Sequence, residues 1–137
     1  IHHILKHNPQ LKQSTLLEKR TIFAEEVPSD ILYGLLNLAH CFILPITHGG
    51  GTNLKTAEAL WSGKYIIATS IAMRGFEEFI GSSGVYVTDD PGQFKRYIRE
   101  VMNAPQLRLT EQERKKRRKV LWDHCLLPIG KFINSLA

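Results

Sequence analysis

Apolar residues fall along this chain in short unbroken runs that alternate with amphipathic stretches. Ile1, Ile4 and Leu5 recur at helical spacing as far as Asn8-Pro9, where the residue before proline avoids the α region. The run Thr21-Ile22-Phe23-Ala24 predicts a short buried strand. Pro28-Ser29-Asp30 offers a helix start, with Ile31, Leu32, Leu35, Leu36 and Leu38 as its apolar stripe to about Ala39. Residues 41–46 (Cys-Phe-Ile-Leu-Pro-Ile) are apolar without alternation, the mark of a strand covered on both faces. The loop Thr47-His48-Gly49-Gly50-Gly51 follows, then a helix over 52–62 with Leu54, Ala57 and Trp61 at i, i+3 and i+7. Gly63 suits the left-handed position that closes it. Residues 64–69 predict a third strand, 74–80 a short helix and 84–87 a fourth strand. Pro91 stands where a helix begins, with the stripe Phe94, Tyr97, Ile98 and Val101. From Thr110 the pattern is helical to the end. The capping box Thr110-x-x-Glu113 opens it, and Val120, Leu121, Leu126, Leu127, Ile129, Phe132 and Ile133 anchor it around a break near Pro128.

Strands alternating with helices argue for an α/β fold. We expect a Rossmann-like, doubly wound parallel sheet with helices on both faces, right-handed crossovers and C-terminal helices, all in one domain over residues 1–137. Helical character already present at Ile1, with no start signal before it, makes a piece of a longer chain the expectation.

Composition narrows the class. With 137 residues, 43% hydrophobic and 23% charged, the chain carries enough apolar material for one core, which excludes disorder, collagen and coiled coil. Net charge is +5, but six positive charges sit in the run Arg114-Lys115-Lys116-Arg117-Arg118-Lys119; without it, 12 basic face 13 acidic residues. The basic character is local. Cys41 and Cys125 are 84 positions apart, with no Cys-x-x-Cys pair and no histidine at ligand spacing, so neither a disulfide scaffold nor a zinc site is expected. Both read as buried or half-buried free thiols in a reducing compartment. No stretch approaches the ~20 apolar residues that span a bilayer, and no charged-then-apolar leader opens the chain. A soluble, cytoplasmic protein is the expectation.

In an open α/β sheet, ligands bind beyond the carboxyl ends of the strands. That singles out residues 47–51. Consecutive glycines let the backbone approach a ligand and turn N–H groups in one direction, while the helix behind adds partial positive charge. A phosphate is the natural guest. Thr52, Lys55 and Glu58 repeat every three residues, so a cation for phosphate and a carboxylate for a diol lie on one side of the helix. The plainer reading is a flexible turn with a Lys55–Glu58 ion pair, and composition does not separate the two. Neither the Walker spacing nor Gly-x-Gly-x-x-Gly is present. Two further candidates flank the loop. His48 reads either as a partner for a sugar hydroxyl or as a solvated loop histidine, and Arg74 as a diphosphate ligand or as a salt-bridge partner of Glu77 or Glu78. Asp89-Asp90 before Pro91 suits a helix start rather than a metal site, and Trp61 and Trp122 read as core anchors. His2, His3, His7, His40 and His124 share no site.

The segment from Phe42 through Gly50-Gly51-Thr52-x-Leu54-Lys55-x-x-Glu58-Ala59-x-x-x-Gly63 to Arg74-Gly75-Phe76 resembles the donor-binding half of GT-B fold glycosyltransferases, the group 1 or family 4-like enzymes. The similarity runs from about Thr21 to Val101, with the final helices matching the family's C-terminal helices. What the resemblance implies is a nucleotide-sugar site and a glycosyltransferase of carbohydrate biosynthesis. The backbone at Gly50, Gly51 and Thr52 would face the donor's phosphate or sugar, Leu54 and Lys55 would flank the nucleotide, Glu58 would hold the ribose hydroxyls, and Gly49 and Asn53 would complete the donor-binding set. Gly50 stands where many relatives have a second glutamate, Asn53 where they have arginine, and Tyr65 where they have proline. No residue is assigned a catalytic role. A leaving diphosphate held by backbone N–H groups, Lys55 and the helix dipole implies no metal and no cofactor beyond the nucleotide diphosphate sugar. The partner expected is an N-terminal acceptor domain outside this chain, and the fragment alone is expected to be inactive.

The basic run covers nearly the full circumference of its helix. It reads as a solvated helix, as a dock for an anionic membrane, which would place the protein at the inner face of the membrane, or as a contact for a nucleic-acid backbone. Nucleic acid is disfavoured by the lack of a basic-aromatic stacking platform. The rival to the transferase is a non-catalytic α/β interaction domain whose basic C-terminal helix takes an anionic partner.

Overall fold

The computed structural model describes residues 28–49 and 53–120. The expected first helix, the strand at 21–24, Gly50, Gly51, Thr52 and the anchors beyond Val120, with Trp122 and Cys125, lie outside the described residues. By its internal contacts the chain divides into two compact units, Ile1–Leu36 and Asn37–Ala137. In the first, α1 (Ser29–Leu38) starts where Pro28-Ser29-Asp30 predicts, with Leu32 N–H donating to the Pro28 carbonyl at 3.0 Å.

The second unit contains β1 (Cys41–Leu44), α2 (Leu54–Ser62), β2 (Tyr65–Ala68), a 3₁₀ turn (Glu77–Phe79), β3 (Val85–Val87), α3 (Pro91–Met102) and α4 (Glu111–Arg118). Among the described residues the strands form one parallel sheet in the order β1-β2-β3, with Cys41 opposite Tyr65 and Ile66 opposite Val85. This is the α/β, Rossmann-like arrangement expected. Pro45 has no N–H to donate, and β1 ends just before it.

Central strand β2 is buried at every position because successive side chains feed two cores. Ile66 and Ala68 join Leu44, Ala59, Leu60, Met73 and Phe79 on one face; Tyr65 and Ile67 join Val101, Phe94, Tyr97 and Ile98 on the other. The helices therefore lie on both faces, α2 on the first and α3 on the second. Helix α3 starts as its sequence predicts: Pro91 occupies the first turn, and the Asp90 carboxylate accepts from Gln93 N–H at 2.6 Å.

Two expectations about helix faces need correction. The inward residues of α2 are Thr56, Ala59 and Leu60, while Leu54 and Trp61 are 60% and 55% exposed. Small residues bring the helix close to the sheet, so the bulky pair points outward and Trp61 is not a core anchor. Residues 74–80 do not form an α-helix: Gly75 has φ 83°, and the chain turns there before the short 3₁₀ segment. Gly63 closes α2 at φ 72°, as expected.

Candidate functional site

Three segments leave the carboxyl ends of the strands, and side-chain hydrogen bonds tie them into one rim. Thr69 directly follows β2. Its N–H donates to the Leu44 carbonyl at 3.3 Å, and its hydroxyl donates to the Ile46 carbonyl at 2.5 Å and accepts from Ala72 N–H at 3.2 Å. One threonine thus links the exits of β1 and β2. The exit of β3 is joined through Asp89, whose carboxylate accepts from Ser70 N–H at 2.9 Å. Hydrogen bonding from Ser70 holds that carboxyl below its ordinary range. Of the expected helix-start pair, Asp90 caps α3 and Asp89 braces the rim.

The start of α2 is anchored to the same rim. Buried Thr56 donates to the Ala72 carbonyl at 2.6 Å, and the Asn53 amide donates to the Ile71 and Ala72 carbonyls at 2.8 and 3.2 Å. Asn53 is the N-cap residue, yet its side chain makes no capping bond because the amide is turned toward residues 71 and 72. The helix consequently presents an N-terminus without a side-chain cap, where N–H groups and the helix dipole favour an anion.

Arg74 completes the cluster. Its Nη1 donates to the Gly49 carbonyl at 3.0 Å, and Gly49 itself sits at φ 134°, a conformation that side chains oppose. The alternative of a salt bridge with Glu77 or Glu78 is not what forms. The Glu77 carboxylate accepts from Gly75 N–H at 3.0 Å, which holds its pKa down, with a weaker pull from Arg74. Lys55 and Glu58 are exposed and pair with neither each other nor any other described residue. His48 is exposed too, and its Nδ1 lies 2.8 Å from the Thr47 hydroxyl. Of the expected site residues, the structure ties Gly49 to Arg74 and Asn53 to residues 71 and 72, sets Leu54, Lys55 and Glu58 on α2 behind Asn53 and His48 just before Gly49, and leaves Gly50, Gly51 and Thr52 outside the described residues. Thr56 and Thr69 carry roles that spacing did not reveal, although a lone threonine after an apolar strand run was a usable signal, and Asp89, expected as a helix-start charge, braces the rim instead.

The basic run lies at the other end of the sheet, and it is not a uniformly solvated helix. Arg117 is only 3% exposed, donating from Nη1 to the Lys64 carbonyl at 2.9 Å and from Nη2 to the Ser83 carbonyl at 2.6 Å. These carbonyls precede β2 and β3, so one guanidinium ties the amino ends of two strands to α4. Burial pulls the Arg117 pKa down and nearby Glu113 pushes it back up. Lys116 donates to the Glu78 carbonyl at 2.7 Å and to Ser82 Oγ at 3.1 Å, with Nζ 5.4 Å from the centre of the Phe79 ring. The expected capping box forms: Glu113 N–H donates to Thr110 Oγ1 at 3.3 Å, and Thr110 N–H donates to Glu113 at 2.7 Å. Ser83 also donates to Glu113, and these bonds lower its pKa to about 2.

Against known proteins, the family model for glycosyl transferases group 1 matches residues 5–104, a span that covers the glycine loop, α2, β2 and β3. Neither the curated proteins nor the solved structures gave a match.

Proposed function

The chain belongs to the glycosyl transferases group 1 family, and on that premise we propose that it is the donor-binding part of an enzyme moving a sugar from a nucleotide diphosphate sugar to an acceptor. Backbone N–H groups of the glycine loop and the open start of α2 meet the diphosphate, with Lys55 and Arg74 as the balancing cations. Glu58, a turn further along α2, accepts hydrogen bonds from the ribose hydroxyls. His48 lies on the sugar side of the loop. An acceptor domain outside this chain closes the cleft in which transfer takes place.

Transfer breaks the bond between the sugar's anomeric carbon and the diphosphate, so negative charge grows on the leaving phosphate oxygen. Donors that are already in place stabilise that charge at no cost in reorganisation. The observation that carries this reading is the Arg74 guanidinium resting on the Gly49 carbonyl at 3.0 Å, which puts a second cation at the loop beside α2. Calorimetric titration of the full chain with UDP-, GDP- and ADP-sugars tests it. One of them is expected to bind, and Glu58→Ala to weaken that binding about tenfold, the value of one charge-assisted hydrogen bond. Unchanged affinity would remove Glu58 from the ribose.

A further inference from the structure

Splitting the basic run changes what its remaining charges can do. Arg117 and Lys116 are taken up by backbone carbonyls and the Phe79 ring. Arg114 and Arg118, one helical turn apart, remain exposed on α4 and line a shallow cavity of about 160 Å³ together with Trp61, Gly63 and Leu109. Among the described residues no acidic side chain lines this cavity. Trp61 is 55% exposed at the C-terminal end of α2 and lines the cavity beside these guanidinium groups.

We propose that Trp61, Arg114 and Arg118 form a docking face for an anionic lipid bilayer. The two arginines meet lipid phosphates, and their aliphatic stems and the indole ring settle at the headgroup level, where amphipathic side chains are favoured. The charge of the face is complementary to an anionic surface. A single aromatic, rather than a row of them, suits a bilayer better than a nucleic-acid strand, which is held by successive stacking. Gly63 precedes β2, so this face lies at the amino end of the sheet. The loop at Gly49 lies at the carboxyl end, and docking leaves it uncovered.

Co-sedimentation of the full chain with vesicles of phosphatidylcholine alone, or mixed with phosphatidylglycerol, tests the face. Binding is expected only to the anionic vesicles and to weaken as salt rises. At roughly fivefold per basic residue, the Arg114→Ala/Arg118→Ala double variant is expected to lose about thirtyfold in partitioning with its circular dichroism spectrum retained. Because Arg114 Nε also donates to the Leu109 carbonyl at 3.3 Å, Arg118→Ala alone serves as the milder control, with a loss of about fivefold. In a Trp122→Phe background, Trp61 emission should shift to the blue on anionic vesicles and be quenched by brominated lipid. Equal binding to neutral vesicles, unchanged partitioning of the variants, or Trp61 emission indifferent to lipid overturns the proposal. So does binding to an RNA or an acidic peptide without binding to vesicles.

Discussion

Arg74 reaches back to the glycine loop and donates to the Gly49 carbonyl across 25 positions of sequence. That bond stands on a frame: Thr69 joins the exits of β1 and β2, and Asn53 and Thr56 pin the start of α2 to residues 71 and 72. The cation is thereby held at the loop, where a diphosphate would lie. Arg74→Ala is expected to weaken nucleoside diphosphate binding about tenfold, the lower range for a hydrogen bond to a charged group, and to leave nucleoside binding unchanged. Titrations with UDP and with uridine, and likewise for the other bases, distinguish the two. Since Arg74 is exposed, its loss should change folding stability by no more than about 0.5 kcal/mol.

The frame itself can be dissected by a double-mutant cycle. The Ala72 carbonyl accepts from both Thr56 and Asn53, so either donor alone still satisfies it. Thr56→Val should cost about 1–2 kcal/mol in urea unfolding. Combined with Asn53→Ala it should cost at least about 0.5 kcal/mol more than the sum of the single changes, because a carbonyl is then left without a partner. Strict additivity would separate the two side chains.

Arg117 is a fold residue despite its place in a charge run. Arg117→Met removes the partner of the Lys64 and Ser83 carbonyls and one favourable charge beside Glu113. A loss of about 1–3 kcal/mol in unfolding free energy is expected, because buried Arg117 gives up two charge-assisted hydrogen bonds to part-buried carbonyls. Arg118→Met, on the exposed side of the same helix, should stay within about 0.5 kcal/mol. Equal effects of the two changes in thermal unfolding would return the run to solvent.

Glu113 makes stability depend on pH. Its pKa in the folded chain is about 2 against an ordinary 4.5, because Ser83 and Thr110 donate to its charged form. A depressed carboxyl stabilises the fold above its unfolded pKa, and that contribution fades as pH falls from about 4.5 toward about 2. Glu113→Gln, which cannot titrate, should therefore lose less stability than the wild type over this window. Parallel urea titrations at several pH values check the difference; matching slopes would contradict it. Asp89 and Glu77, also depressed, contribute to the slope of both proteins and cancel in the comparison.

Much of this was legible along the chain, and the reasons are physical. The run at 64–69 reads as a strand, and β2 within it is buried throughout because Ile66 and Ile67 fill opposite cores, whereas β1, expected to be covered on both faces, leaves Ile43 47% exposed among the described residues. Pro91, Gly63 and Thr110-x-x-Glu113 act within a few residues of themselves, so their roles as start, stop and cap could be read locally. The inward face of α2 was not legible: hydrophobicity favours Trp61 and Leu54, whereas the geometry of close packing selects Ala59 and Thr56. Nor could spacing show that Arg117 reaches carbonyls 53 and 34 positions away, or that Asn53 spends its amide on residues 71 and 72. At the site, sequence pointed to the loop and to Lys55 and Glu58, and offered Arg74 a ligand or a salt-bridge role; its bond to the Gly49 carbonyl, 25 positions away, is a tertiary contact that spacing does not show.

The central claim is that the glycine loop and the first turns of α2 hold a nucleotide diphosphate sugar. The most direct measurement is amide chemical shifts in the ¹⁵N-labelled chain during titration with UDP-, GDP- and ADP-sugars to about millimolar concentration, where weak sites become visible. The account predicts saturable shifts at residues 49–58 and at Arg74 with one of these donors, and unchanged shifts at Ser83 and Arg117 at the far end of the sheet. Shifts absent from residues 49–58 with every donor, or confined to α4, would contradict it.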